Sequence, residues 1–270
     1  VEKRQGLKIG CPEEIAWISD HPIIRVHNEL DWPPFNFNID GQPTGFSIEY
    51  MNLLAKKIGV QLEYISGPSW QQFLDMTQAG ELDVMLNVTP TPERAKYLLF
   101  TKPYAQSPAV IVVKDPKLQV ESLQDLHGKR VALAEGFFTE EFIAKQHPEI
   151  ELVFEVDTLG ALYAVIEGRA DAMLDDFPVI KYLIDKHTLN DLHFAFVTRD
   201  SELESLNTIG IRKDWPVLQG ILQQAMDSLA EEEIAELSQK WLDTSWKEKN
   251  ESSLSDTIYW LLASTLGLFL

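Results

Sequence analysis

Apolar positions along this chain recur in short blocks broken by turn residues, and the spacing inside each block predicts its element. Residues 23–27 (IIRVH) form a β-rich run that leads into DWPPFNF, where Pro33 and Pro34 break any helix. Over 46–58, Phe46, Tyr50, Met51, Leu54 and Ile58 share one helical face, and Gly59 ends the helix. A strand over 61–65, a helix over 70–78 ending at Gly80, a strand over 82–86 and a short helix over 92–96 follow. AVIVV at 109–113 reads as a buried strand by its continuous apolar run. Strands at 130–133, 152–156, 170–174 and 192–197 then alternate with helices near 140–146, 158–167 and 178–185. The end holds a strand at 208–211 and helices at 215–229 and 231–241. Such alternation argues for an α/β fold with a largely parallel sheet. Ligands of such sheets bind beyond the carboxyl ends of strands. That singles out the turns after His27, Leu86, Leu133 and Leu174.

The 270 residues fit one to two domains at about 150 residues each. A hydrophobic share of 45% is ample for a core and too rich for disorder. The net charge of −19 argues against a nucleic-acid partner, which needs clustered Lys and Arg, and against a basic patch on anionic lipid. The single cysteine, Cys11, cannot form an internal disulfide. VEKRQGLKIG at the start has no apolar signal segment. The run 257–270 (TIYWLLASTLGLFL) carries no charge; it is shorter than the ~20 residues a membrane helix needs. With Tyr259 and Trp260 suited to an interface and a polar linker over 242–256 before it, the run is expected to begin a transmembrane helix. A buried terminal helix is the plainer alternative.

The chain lacks GxGxxG, GxxxxGK and GxSxG, and its six histidines show no HExxH or HxxxH spacing. No metal, cofactor or catalytic residue is therefore expected, and each histidine reads as a surface or capping residue. Glu231, Glu232 and Glu233 read as the solvated first turn of a helix. What remains is polar residues at strand ends, interleaved with aromatics. In NVTPTPERAKYLLFTKPY (87–104), hydroxyls on a turn and Arg94 on the following helix could receive a carboxylate, since Arg presents a planar fork. Spacing alone favours an ordinary solvated arginine. Asp175 and Asp176 follow a predicted strand; Asp176 suits a helix N-cap before Pro178, and a carboxylate there could also accept an ammonium. Trp32 lies in a turn between Asp31 and Pro33, which favours a cleft over the core.

Five ordered motifs, DWPPFNF, GFSIEYMNLLAKKIG, GELDVMLNVTPTPERAKYLLFTKPY, LHGKRVALAEG and GRADAMLDDFPVIKYLI, together resemble bacterial periplasmic solute-binding proteins of the polar amino-acid type, the Venus flytrap modules. The resemblance implies two α/β lobes joined by two hinge crossings. Lobe 1 would take 23–107 plus 206–241 and lobe 2 would take 108–198, with a lead-in over 1–22 and the second hinge over 199–205. It implies that Arg94 clamps a ligand α-carboxylate beside Thr89, that Asp176 receives the ammonium, and that Trp32 and Trp70 sandwich the side chain. Glu29 falls where an aspartate is common near the ligand, and Asn87 replaces a common glycine. The lobe 2 loop over 134–139 (AEGFFT) brings Gly136, Phe137 and Phe138 to the ligand, and its two rings would shrink the pocket toward a small or apolar side chain. EEIAWISDHP before the first strand, with the apolar end, resembles the flytrap ectodomains of sensor kinases and diguanylate cyclases. The expected function is thus an extracytoplasmic sensor domain on the periplasmic side of the inner membrane. It would bind an amino acid or similar zwitterion and signal by closure, held to the membrane through its C-terminal segment, with room for a homodimer in the full-length receptor. Solute delivery to a transporter is the alternative, and a dehydratase-type enzyme a third.

Overall fold

In the computed structural model, which describes residues 11–198 and 203–242, the chain opens with α1 (Pro12–Asp20). The predicted lead-in over 1–10, the linker beyond Leu242 and the apolar run 257–270 lie outside the described residues, as does most of the expected second hinge. Cys11 is exposed and caps α1: its Sγ accepts from the Glu14 N–H at 3.5 Å. Then come β1 (Ile23–Asn28) and a three-stranded meander of β2 (Asp31–Trp32), β3 (Asn36–Ile39) and β4 (Gln42–Thr44). The proline-interrupted sequence gave no periodicity from which to expect the meander. The helix α2 (Phe46–Ile58) has the predicted bounds, buries the predicted face and ends on Gly59 at φ +83, which glycine adopts freely.

After β5 (Gln61–Ser66) and α3 (Trp70–Gln78), which Ser69 and Gln72 close with a capping box, the chain forms β6 (Val84–Val88). A 3-10 turn (Arg94–Lys96), β7 (Leu98–Phe100), β8 (Ala105–Ser107) and β9 (Ala109–Val113) follow. Next are β10 (Arg130–Ala134), α4 (Phe138–Gln146), β11 (Glu151–Glu155), α5 (Thr158–Ile166), β12 (Ala172–Asp176), α6 (Phe177–His187) and β13 (His193–Val197). The chain then returns through β14 (Ser205–Arg212) to α7 (Pro216–Asp227). The helix α8 (Glu231–Trp241) lies in a separate compact unit that starts at Ala230; three glutamates fill its first turn.

Two sheets carry the fold. One runs β5-β1-β6-β14-β7 with β8 paired on β14, and the other β11-β10-β12-β9-β13. Pair by pair neither is largely parallel, with two parallel pairings in each. Yet all strands but one in each sheet run the same way; the exceptions, β14 in the first and β9 in the second, border the passage between sheets and run antiparallel to every neighbour. A strand that arrives directly from the other sheet has no crossover helix to reverse it.

Both β6 and β12 begin two residues later than the apolar runs suggest. The cause is the same in each sheet. Asp83 accepts the Arg25 N–H at 2.9 Å and pairs with its guanidinium at 2.6 Å. Asp171 does the same for Arg130, at 2.9 and 2.8 Å. Each carboxylate takes the backbone donor that a paired strand would otherwise take, so the ladder starts beyond it. The shift of β12 places Asp175 and Asp176 inside the strand as its last two residues rather than after it.

Candidate ligand-binding site

The strand ends of the two sheets face one cavity. Glu29 follows β1, Trp32 ends β2, Trp70 opens α3, Asn87 and Thr89 flank the end of β6, and Arg94 opens the 3-10 turn. From the other sheet come Phe137 and Phe138, after β10, and Asp175 at the end of β12; Ser205 joins from the start of β14. The space open to water-sized contents is about 30 Å³, room for little more than water. The two phenylalanines that the sequence places in this loop close it from one side. Trp70 meets Phe137 edge-on at 5.7 Å.

Arg94 is 3% exposed, so the solvated alternative fails. Its guanidinium donates to the Thr89 carbonyl at 2.7 Å and to the Gly136 carbonyl, across the cavity, at 2.8 Å. Its carbon lies 5.6 Å from the Trp70 ring centre. Burial pulls its pKa down to about 10, which still leaves it charged at neutral pH. The Gly136 carbonyl accepts a second bond, from Trp70 Nε1 at 3.0 Å. Gly136 has φ +77, and a Cβ there would sit 2.5 Å from Gln71 Oε1, so glycine serves both the turn and the close approach. Gly136 touches Arg94 and Trp70 rather than lining the inner cavity.

Three buried polar atoms of the lining have no partner among the described residues: Glu29 Oε1, Asn87 Oδ1 and Trp32 Nε1. Buried polar groups are usually paired, so each of these three can take a hydrogen bond from a molecule in the cavity. Burial, reinforced by Asp157, pushes the Glu29 carboxyl up to about 8. Asn87 stands at φ +56, a left-handed conformation that asparagine tolerates better than most residues. A glycine would adopt the same conformation without strain. The Asn87 Nδ2 donates to Ser47 Oγ at 2.7 Å, which fixes the amide and leaves Oδ1 without a partner.

Asp176 does not line the cavity. Ser107 Oγ donates to its Oδ2 at 2.7 Å and Ser205 Oγ donates to its Oδ1. It stands at the N-cap of α6 as the sequence suggests, but its side chain makes no capping bond. Asp175 is the cavity-lining aspartate. It accepts from Thr158 Oγ1 at 2.5 Å and from the Asp176 N–H at 2.7 Å. Burial raises both carboxyls, Asp175 to about 6 and Asp176, with Asp175 adding repulsion, to about 7. Sequence reasoning gave no signal for Ser205, which reaches the site only through the return of the chain.

His27 corrects the expectation of surface histidines. It is fully buried and meets Trp70 and Phe73 edge-on. Its Nδ1 accepts the Leu86 N–H at 2.9 Å, and Nε2 lies 3.7 Å from Glu29 Oε1. Burial lowers its pKa to about 3, so it is neutral. With Asn36, which accepts from Asn28 Nδ2 at 2.7 Å and from the Glu29 N–H at 3.2 Å, it forms the floor on which Glu29 stands.

Two sheets whose strand ends enclose one small cavity of aromatic and polar lining, with two chain crossings between them, define a two-lobe binding module. The chain belongs to the bacterial extracellular solute-binding proteins, family 3, which it matches over residues 24–244. It is 25% identical over 259 residues to the virulence sensor protein BvgS of Bordetella pertussis, covering 94% of this chain and 20% of BvgS. The chain thus spans about a fifth of the length of these sensor relatives. It is 33% identical over 171 residues to YxeM of Bacillus subtilis, a probable amino-acid-binding protein, covering 62% of this chain and 64% of YxeM. Among solved structures, a mutant of ArgBP from T. maritima superposes with a TM-score of 0.74 at 26% identity, over 85% of this chain and 99% of ArgBP. The two-lobe periplasmic-binding-protein fold follows.

Proposed function

We propose that this module is an extracytoplasmic sensor domain that captures an amino acid or similar small zwitterion between its lobes and signals by closing on it. The observation that carries the reading is the cavity with unpartnered Glu29 Oε1, Asn87 Oδ1 and Trp32 Nε1 beside the buried Arg94. Arg94 and Thr89 take the carboxylate, Trp32 and Trp70 flank the side chain, and Phe137 and Phe138 keep that side chain small. The lobes are 23–107 with the return from 206, and 108–198, so a ligand touching both favours closure. The match to BvgS along nearly all of this chain supports a sensor. In this reading the module sits on the periplasmic side of the inner membrane, with 257–270 belonging to the anchor. The likeness to YxeM supports the second reading, solute delivery to a transporter through the same pocket. Neither reading calls for catalysis.

A thermal-shift screen against the twenty amino acids and small carboxylates tests this. A ligand at a hundred times its Kd adds about 2.7 kcal/mol of stability, an easily measured shift. A hit lost in Arg94→Ala supports the site; the absence of any hit removes the small-zwitterion reading.

A further inference from the structure

We propose that a second cleft, sharing Arg94 and Phe137 with the inner cavity as a common wall, binds a small organic cation with an aromatic body. Its occupant is separate from the amino acid of the inner cavity, and neither site needs the other to be filled.

The cleft offers about 430 Å³, against about 30 Å³ inside, and sites for small organic molecules run from roughly 300 Å³ upward. One side is built by α3 and the 3-10 turn, through Leu74 and Tyr97. The other is the segment after β10, through Phe137, Glu140 and Glu141. The partition from the inner cavity is the bond of Arg94 to the Gly136 carbonyl at 2.8 Å. A molecule here therefore touches residues that carry both sheets.

The polar groups select its charge. An anion finds no free cation. The Arg94 guanidinium is spent on the Thr89 and Gly136 carbonyls, and Lys96 Nζ donates to Glu93 Oε1 at 2.6 Å. Two carboxylates remain outside any ion pair. Glu140 accepts the Gly136 N–H at 3.0 Å, and Glu141 accepts from Thr91 Oγ1 at 3.1 Å. A carboxylate has about four acceptor positions, so each keeps capacity for a donor from the ligand. The field around Tyr97 has the same sign. Its phenol is raised by burial, lowered by Arg94, and raised again by Glu141, Asp75 and Glu93. Tyr97 and Phe137 supply ring surface to a cation or to a flat body, and Leu74 adds apolar area. An ammonium joined to an aromatic ring by a short chain satisfies both halves of this lining.

The test titrates the whole chain with tryptamine in a calorimeter, with indole-3-acetate as the probe of opposite charge. Tryptamine should bind with a Kd of about 1 mM or tighter, and indole-3-acetate should give no heat of binding there. The double variant Glu140→Gln/Glu141→Gln should weaken tryptamine roughly tenfold, since Gln keeps the size and can still accept from Gly136 and Thr91. Tyr97→Leu should weaken it roughly three- to tenfold. Should Tyr97→Leu fail to fold, the double variant decides alone. Glu29→Gln and Asp175→Asn, both in the inner cavity, should leave tryptamine within about twofold. No binding of tryptamine, equal binding of indole-3-acetate, full affinity in the double variant, or a loss confined to Glu29→Gln or Asp175→Asn would each overturn the second site. None of these results bears on whether the inner cavity takes an amino acid, which the thermal-shift screen decides.

Discussion

The guanidinium of Arg94 ends on the backbone carbonyl of Gly136 at 2.8 Å, so the buried cation of one lobe is held by the main chain of the other. Its second amino group reaches the Thr89 carbonyl at 2.7 Å. Only a planar fork can span both acceptors. A lysine offers a point charge on a flexible stem. Arg94→Lys should therefore weaken amino-acid binding by roughly ten- to a hundredfold although the charge is kept, as calorimetry would read. Retention of full affinity would mean that charge alone suffices.

Gly136 is the weak point of the same contact. Its φ of +77 and the close approach of Gln71 and Trp70 leave no strain-free place for a methyl group. Gly136→Ala should cost about 1–3 kcal/mol in urea unfolding. Small-angle scattering should show a more open average shape, since the carbonyl that receives Trp70 and Arg94 is displaced.

Buried carboxyls at the site set the pH dependence of stability. Glu29 is raised to about 8 and Asp176 to about 7, chiefly by burial, and both stay protonated in the fold after the unfolded chain has released those protons. Their contribution is complete below the ordinary carboxyl range and is lost as pH rises through the folded values. Facing Glu29 are His27, neutral with its pKa lowered to about 3, and Asp157. His27 works in the opposite sense, since below its unfolded value of 6.5 the unfolded chain gains a proton that the fold refuses. The clean window is therefore pH 6.5 to about 8, where stability should fall by roughly 2 kcal/mol through Glu29. Chemical denaturation across that window should show the decline, and Glu29→Gln should flatten much of it.

The paired aspartates before β6 and β12 differ in burial, and their cost should differ with it. The Asp83 side chain is 2% exposed and holds Arg25 and Arg212, at 2.6 and 3.3 Å. That of Asp171 is 34% exposed and, among the described arginines, holds Arg130. Removing a partner from a buried pair is far costlier than from an exposed one. Asp83→Ala should lose about 3 kcal/mol or more and Asp171→Ala about 1, each measured by urea unfolding.

The helix over 46–58 was legible because one side of it is simply apolar, and Gly59 marks its end. The turns after β1, β6 and β10 were legible because breaks in hydrophobic period mark strand ends. Asp175 and Asp176 were not. Their charge reads as a turn, yet both end a buried strand because Thr158, Ser107 and Ser205, distant in sequence, supply their hydrogen bonds. His27 was hidden for the same reason: its partners, the Leu86 N–H and the rings of Trp70 and Phe73, are brought to it only by the sheet and the helix α3. Local pattern reports which face is apolar; it carries no record of which polar group will find a distant partner.

The bond pair on Asp176 has a mechanical consequence. Ser107 and Ser205 stand opposite one another in the ladder and share one carboxyl. Sliding one strand past the other would break both hydroxyl bonds at once, whereas swinging the two together breaks neither. The two crossing strands are thereby tied to one another through a single carboxyl of the second sheet, and a shift of one along the other is opposed by both hydroxyl bonds together.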